Sequence, residues 1–199
     1  MIKLLKHLKI VNKHRFYVFI HMARMGFLFQ GLRHDLSKYS FSELLPSAKY
    51  FQGDKSPVYK QRQDNKIYSL IAVTHTRKNK HHYEYWIDIY KNNVVLKMMP
   101  YKYAVEYAAD VIAASKAYNK KEFNRNMPHD YFINHTSYSP MHKGTREFVL
   151  SLLKLYAESG FKYLNRKNTK NIYNEIYNRH EEVEIHPINL DEDIKIEIN

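Results

Sequence analysis

Apolar residues recur with helical spacing along most of the chain. The first such stretch spans about residues 4–25 and stops near Gly26, a residue that favours the end of a helix. A later helix is predicted to begin at Ser56 and Pro57, which match an N-cap followed by a first-turn proline. We extend this helix, allowing one break, to about Trp86.

Four further helices complete the helical prediction. Pro100 opens a helix to about Tyr118 in the same way. Ser40 and Glu43 have the spacing of a capping box and predict a helix that Pro46 should bend.

Two last helices are predicted at about residues 144–159, ended by Gly160, and at about 169–180. The sequence therefore predicts an all-α fold, a bundle of five to six helices in one domain over residues 1–180.

The remaining residues, 181–199, differ in charge and in periodicity. Residues 1–180 hold 31 basic and 13 acidic side chains, a charge of +18, whereas 181–199 hold one lysine and seven acids, a charge of −6. The alternation in 183–185 and 194–198 has the period of two that is typical of a strand. We expect an acidic tail that forms a hairpin or an edge strand, or that stays disordered.

Composition narrows the chemistry that this chain can perform. Apolar residues make up 44% and aromatic residues 15%, enough for a buried core. The absence of cysteine excludes disulfides, thiol nucleophiles and thiolate metal sites, so a metal here must use histidine and carboxylate ligands. No run reaches the roughly 18–20 apolar residues of a membrane span, and no signal peptide is evident, so we expect a cytoplasmic protein without membrane association.

The twelve histidines therefore become the candidate functional residues. On the predicted first helix, His14 and His21 share one face. On the helix predicted to begin at Ser56, His75 and His82 share one face. Each of these histidines has an alternative to metal binding: it can be an exposed surface residue or a hydrogen-bonded residue of the core. His21 competes with His14 as the first ligand, and helical phase favours His82 over His81.

Asp110 is an isolated acid inside the apolar run 108–114. Burying an unpaired carboxylate costs several kcal/mol, so this position requires a cation, a hydrogen-bond network or a metal. Helical bundles build metal centres from histidines and acids that project inward from separate helices. We therefore predict that Asp110 meets the dipeptide His34-Asp35.

The order of these residues resembles the HD superfamily of metal-dependent hydrolases. His14, the pair His34-Asp35 and the late Asp110 match the family pattern of His, His-Asp and Asp. Lys38 follows the aspartate by three residues. In this the sequence resembles the branch with a lysine at that position, which contains the HD-GYP phosphodiesterases and the inositol oxygenase group. That branch usually has glycine in place of Ser37, and its Gly-Tyr-Pro element is absent here, so the resemblance does not extend to cyclic-di-GMP cleavage.

The resemblance covers about residues 10–118 and also extends to small bacterial and phage HD-like proteins without a known activity. It implies one or two divalent ions, such as Mn, Fe, Mg, Co or Zn, and Asp35 as a bridging, catalytic ligand. The implied ligands are His14, His34, Asp35, His75, His82 and Asp110, with His21 and His81 as further candidates.

The implied activity is a metal-dependent phosphohydrolase, a phosphodiesterase or nucleotidase, acting on a nucleotide, cyclic nucleotide or oligonucleotide. The positive charge of residues 1–180 favours such a polyanionic substrate. Lys38, Arg77, Lys78 and Lys80 are the candidate phosphate-binding residues, although they can also be solvated surface charges. Two alternatives remain: a di-iron oxygenase with the same ligands, and a non-catalytic basic protein that binds nucleic acid.

Overall fold

The computed structural model describes residues 2–53 and 55–188. Their helices and strands, in chain order, are α1 (Ile2–Arg24), α2 (Leu28–Arg33), α3 (Phe41–Tyr50), α4 (Pro57–Asp64), α5 (Leu70–Lys78), β1 (Ile87–Tyr90), β2 (Asn93–Lys97), α6 (Tyr101–Asn119), α7 (Met127–Thr136), α8 (Lys143–Ser159), α9 (Arg166–Tyr177) and β3 (Val183–Pro187). Short 3₁₀ turns cover Leu36–Tyr39, Tyr83–Trp86 and Lys120–Glu122.

The fold is mostly helical, as the sequence predicts, but five to six helices is too few. The described residues contain nine, because α2 and α7 were not anticipated and the helix expected over 57–86 is divided. Lys66 and Ile67 have left-handed φ values of 48° and 67°, which end α4, and the Ser69 side chain then caps α5. No helix in the described part of the chain is long and apolar enough to cross a membrane.

A small antiparallel sheet corrects the expectation of a purely helical fold. Strands β1 and β2 form a hairpin whose turn residues Lys91 and Asn92 both have positive φ, as a tight two-residue hairpin requires. Strand β3 pairs with the other edge of β2. The expected edge strand of the acidic tail is therefore present at Val183–Pro187, while the predicted alternation at 194–198 lies outside the described residues.

The core is built around α6, whose small side chains allow neighbouring helices to approach closely. Ala104, Ala108, Ala109 and Ala113 are fully buried, and they join one cluster with residues of α1 and α8. The last two turns of α1 also meet α2 closely: a Cβ added at Gly31 would lie 2.7 Å from the Met22 Cβ. This packing brings α1, α2 and α6 together around the His-Asp pair.

Candidate metal centre

The His34-Asp35 pair lies where α2 ends and the following 3₁₀ turn begins. Asp35 has φ 54° and ψ 26°, a left-handed conformation that aspartate tolerates better than most residues. Arg15 on α1 fixes this corner, because its guanidinium donates to the backbone carbonyl of His34 at 2.8 Å and to that of Leu32 at 3.0 Å. Both side chains of the pair are buried.

A first group of ligand atoms forms around this pair. His14 comes from α1 and Asp110 from α6, and each member of the group offers one atom within 4.8 Å of the others. His14 Nε2 lies 3.0 Å from Asp110 Oδ1, and His34 Nε2 lies 3.2 Å from Asp35 Oδ2. The predicted meeting of Asp110 with the His-Asp pair is confirmed.

A second group lies on the other side of the same aspartate. It consists of Asp35, His75, His81 and His82, again with one ligand atom from each within 4.8 Å. Asp35 Oδ1 is 3.3 Å from His75 Nε2 and 3.5 Å from His81 Nε2. Because Oδ2 faces the first group and Oδ1 the second, Asp35 is common to both.

The second group is assembled differently from the sequence prediction. We expected His75 and His82 to share a helical face, but α5 ends at Lys78 and Asn79 is extended. The chain turns back instead, and the His82 ring lies 4.7 Å from that of His75 and 4.3 Å from that of His81. His82 lies in the group, as helical phase favours, but it does so from a turn after the helix, and His81, the less favoured candidate, lies there as well.

Glu43 is a functional residue that the sequence prediction missed. The predicted capping box does not form: the Ser40 side chain makes no capping bond and donates to the Ser37 carbonyl, while Glu43 is buried. Glu43 Oε2 lies 2.7 Å from His75 Nδ1, so that nitrogen donates a hydrogen bond to the carboxylate, while His75 Nε2 lies on the side of Asp35.

Glu106, one turn before Asp110 on α6, was also missed. Its Oε1 lies 2.9 Å from His34 Nδ1 and 3.5 Å from His81 Nδ1, and Gln30 donates to its other oxygen. Glu106 also forms a third possible ligand group with His34 and His81. The signal in the sequence is the spacing Glu106-x-x-x-Asp110, which places two acids on one face of an otherwise apolar helix.

The histidines of the centre differ in their electrostatics, also within the second group. Burial would lower the pKa of His75, but the Asp35 charge and hydrogen bonds to Asp35 and Glu43 outweigh it and raise that pKa. Burial alone would lower the pKa of His34, but the Asp35 charge and hydrogen bonds to Asp110, Asp35 and Glu106 outweigh it and raise the pKa well above the usual value. Burial, followed by the positive charge of His34, lowers the pKa of His81 to about 3. Burial and the charges of His81 and His75 likewise lower the pKa of His82 well below normal. His81 and His82 are therefore neutral at pH 7, the form in which imidazole binds metal.

Buried polar atoms without a hydrogen-bond partner test whether these residues fit a metal ion. Three of them belong to the second group: Asp35 Oδ1, His81 Nε2 and His82 Nε2. Leaving a buried acceptor unpaired costs about 1–3 kcal/mol each, and the residues that carry these three atoms each offer a ligand atom within 4.8 Å of the others. The residues fit a divalent ion, because its coordination would satisfy all three atoms.

His21, the competing first ligand, belongs to none of the three groups that we find among the described residues. It is buried one helical turn beyond Val18, and its ring lies 4.6 Å from that of Phe161. Burial lowers its pKa to about 3, so it is a neutral core residue. Of the two candidates on α1, the structure places His14 in the centre.

The candidate phosphate-binding residues fall into two sets. Lys38 Nζ lies 2.6 Å from Asp35 Oδ2, across the 3₁₀ turn Leu36–Tyr39. Arg77, Lys78 and Lys80 are exposed. Lys78 donates to Ser42 on α3 at 2.6 Å, and Lys80 lies 5.6 Å from the Tyr85 ring. In the described part of the chain, Asp35 forms an ion pair with Lys38 and with none of the other three.

The accessible side of the centre is marked by the few side chains that retain solvent exposure. Lys38 is 30% exposed, Asp110 16% and His75 12%, whereas Asp35 is 1% exposed. The negative charge of Asp35 followed by that of Asp110 keeps the pKa of Lys38 above its usual value despite desolvation, so Lys38 is a cation. A solute reaching the centre therefore meets a lysine ammonium beside the bridging aspartate.

Comparison with known proteins identifies a family for this chain. Neither the curated proteins nor the solved structures include a match. One family model does match, and it covers residues 3–155, the segment that supplies every residue of the centre. Because that match spans well over half of the chain, the protein belongs to the family of unknown function DUF5662.

Proposed function

We propose that the protein is a metal-dependent phosphoric ester hydrolase, a phosphodiesterase or nucleotidase that acts on a nucleotide, cyclic nucleotide or oligonucleotide. The observation that carries the proposal is the shared aspartate: one buried carboxylate has a histidine-containing ligand group on each of its two oxygens. Such an arrangement suits a pair of divalent ions held by one bridging ligand.

The charge balance of the centre leaves room for bound cations beside its own positive groups, which are Lys38 and the histidines His34 and His75 with their raised pKa values. Four carboxylates, those of Asp35, Glu43, Glu106 and Asp110, surround the histidines, and Lys38 is the lysine in ion-pair contact with Asp35. Buried carboxylates of this number are stable only with compensating positive charge. Nitrogen and oxygen ligands without sulfur suit Mn²⁺, Fe²⁺, Co²⁺, Zn²⁺ or Mg²⁺.

Divalent ions bound in both groups would acidify water and neutralise charge on a phosphate ester. The residues of the chain then have separate tasks. His14, His34 and Asp110 would hold one ion and His75, His81 and His82 the other, with Asp35 common to both. Glu43 and Glu106 orient histidine rings through Nδ1, and the buried walls restrict the entry of bulk water.

Lys38 provides the anion-binding function of this centre. Its ammonium lies on the exposed side and beside Asp35, so a phosphate oxygen entering there would accept a hydrogen bond from Nζ. The charge of +18 over residues 1–180 would attract a polyanion from a distance. The HD-like order of His14, His34-Asp35 and Asp110 favours the same class of activity.

The proposal is tested with protein purified without chelators or an affinity metal. Each of the five ions is added in turn, and hydrolysis is measured on bis-p-nitrophenyl phosphate, nucleoside phosphates, cyclic nucleotides and short oligonucleotides. We expect turnover that EDTA abolishes and that His34→Ala lowers at least about a hundredfold, as expected for a lost ligand to a catalytic ion. His135→Ala is the matched control, because that histidine is exposed and lies outside the three ligand groups.

Two other results would replace the proposal. Tightly bound iron with oxygen consumption, and without ester hydrolysis, would assign the centre to an oxygenase. Strong RNA or DNA binding that persists in His34→Ala and Asp35→Ala, in a protein that hydrolyses nothing in the panel, would assign a non-catalytic binding function.

A further inference from the structure

Glu106 lies near two histidine rings of the centre, whereas Glu43 contacts one. Each carboxylate reaches the Nδ1 atom of a histidine whose Nε2 faces the ligand groups. Glu43 contacts one such ring, His75, which belongs to the second group. Glu106 Oε1 lies between two rings, at 2.9 Å from His34 Nδ1 and 3.5 Å from His81 Nδ1.

These two rings belong to different groups. His34 Nε2 faces Asp35 Oδ2 in the first group, and His81 Nε2 faces Asp35 Oδ1 in the second. The rings also lie near each other, with centroids 4.4 Å apart. A single carboxylate oxygen is therefore next to a ligand of each group, on the side away from Asp35.

We propose that Glu106 is a positioning residue that couples the two ion sites, by fixing the ring orientation and tautomer of His34 and His81 together. This inference rests on the proposed function, because it assumes that both groups bind ions. With Nε2 directed at an ion, each ring carries its proton on Nδ1, and the same carboxylate oxygen lies 2.9 Å from one of these nitrogens and 3.5 Å from the other. Glu106 therefore influences metal affinity at both sites.

The surroundings of Glu106 suit such a role. The residue is 5% exposed and belongs to the buried face of α6, so it cannot swing away into solvent. Gln30 of α2 donates from its amide to Oε2, which leaves Oε1 for the histidines. The same helix supplies Asp110 one turn later, and this ties the position of Glu106 to that of a first-group ligand.

The experiment compares Glu106→Gln with Glu43→Gln by calorimetric titration of the metal-free protein with Mn²⁺. His82→Ala and Asp110→Asn, each in one group, assign the two binding steps. Loss of a carboxylate that hydrogen-bonds a metal-binding histidine changes metal affinity by about 10–100-fold. We expect Glu43→Gln to weaken the step assigned to the second group alone, and Glu106→Gln to weaken both. Gln30→Ala keeps the carboxylate and should weaken both steps by a smaller factor, and thermal melts check that each variant folds.

The outcomes separate this inference from the proposed function. If the wild-type protein binds neither Mn²⁺ nor, in parallel titrations, any of the other four ions, the proposed function fails. If it binds two ions and Glu106→Gln changes one step or neither, the coupling role is wrong and the proposed function stands. Three ions in the wild type, with one lost in Glu106→Gln, would make Glu106 a ligand of a third site with His34 and His81, and would also overturn the coupling role.

Discussion

Asp35→Asn is expected to lose both metal ions. The two oxygens of Asp35 face different ligand groups, and the amide nitrogen that replaces one of them is neutral and has no free lone pair to donate to a metal ion. We expect affinity at both sites to fall by at least about a hundredfold, since a residue that binds the metal directly matters at least as much as the groups that hydrogen-bond to such a residue. Metal content after dialysis, measured by elemental analysis, is the readout.

Asparagine is the appropriate substitution because of the backbone at this position. Asp35 is left-handed, and asparagine tolerates that conformation, whereas alanine would add strain of roughly 1 kcal/mol or more. Asp110→Asn is the matched control, since Asp110 lies in the first group but not in the second. It should lose one ion and keep the other. An Asp35→Asn variant that folds and retains two ions would contradict the bridging role.

Lys38→Ala is expected to keep both ions and lose most of the activity. The ammonium lies 2.6 Å from Asp35 Oδ2 on the exposed side of the centre, and a protonated amine is not a metal ligand. Loss of one charged contact to the substrate should lower kcat/KM by about ten- to a thousandfold, equivalent to ~1.4–4 kcal/mol. Metal content and hydrolysis are measured on the same preparations.

Lys60→Ala provides the comparison for this variant. Lys60 also pairs with an aspartate at 2.6 Å, Asp64 on α4, but both side chains lie outside the ligand groups. Its removal should leave activity unchanged. Normal activity in Lys38→Ala would reject the substrate-binding role, and loss of metal in that variant would show that Lys38 supports the structure of the site instead.

The first ligand group could be predicted because its signals are local. A histidine on a helical face, a His-Asp pair and an acid inside an apolar helix each stand out in the sequence, and α1 and α6 form over nearly the residues expected. His14 could not be separated from His21 in this way. Both are buried on one face of α1, and tertiary packing decides that His21 meets Phe161.

The second group and its supporting acids depend on contacts that spacing cannot reveal. The chain leaves the helix after Lys78, so helical phase fails for His81 and His82. Glu43 stands at the third position of α3, where a capping box and a long-range bond to His75 have the same local pattern. The hairpin after Trp86 was missed for a related reason: its turn residues, Lys91 and Asn92, lack the glycine that marks most tight turns.

The central claim is that one aspartate joins two metal sites in this protein. Elemental analysis of wild-type protein, prepared without chelator or affinity metal and then dialysed after addition of Mn²⁺, tests it most directly. The account predicts two ions per chain. Protein that retains no ion while remaining folded would contradict it.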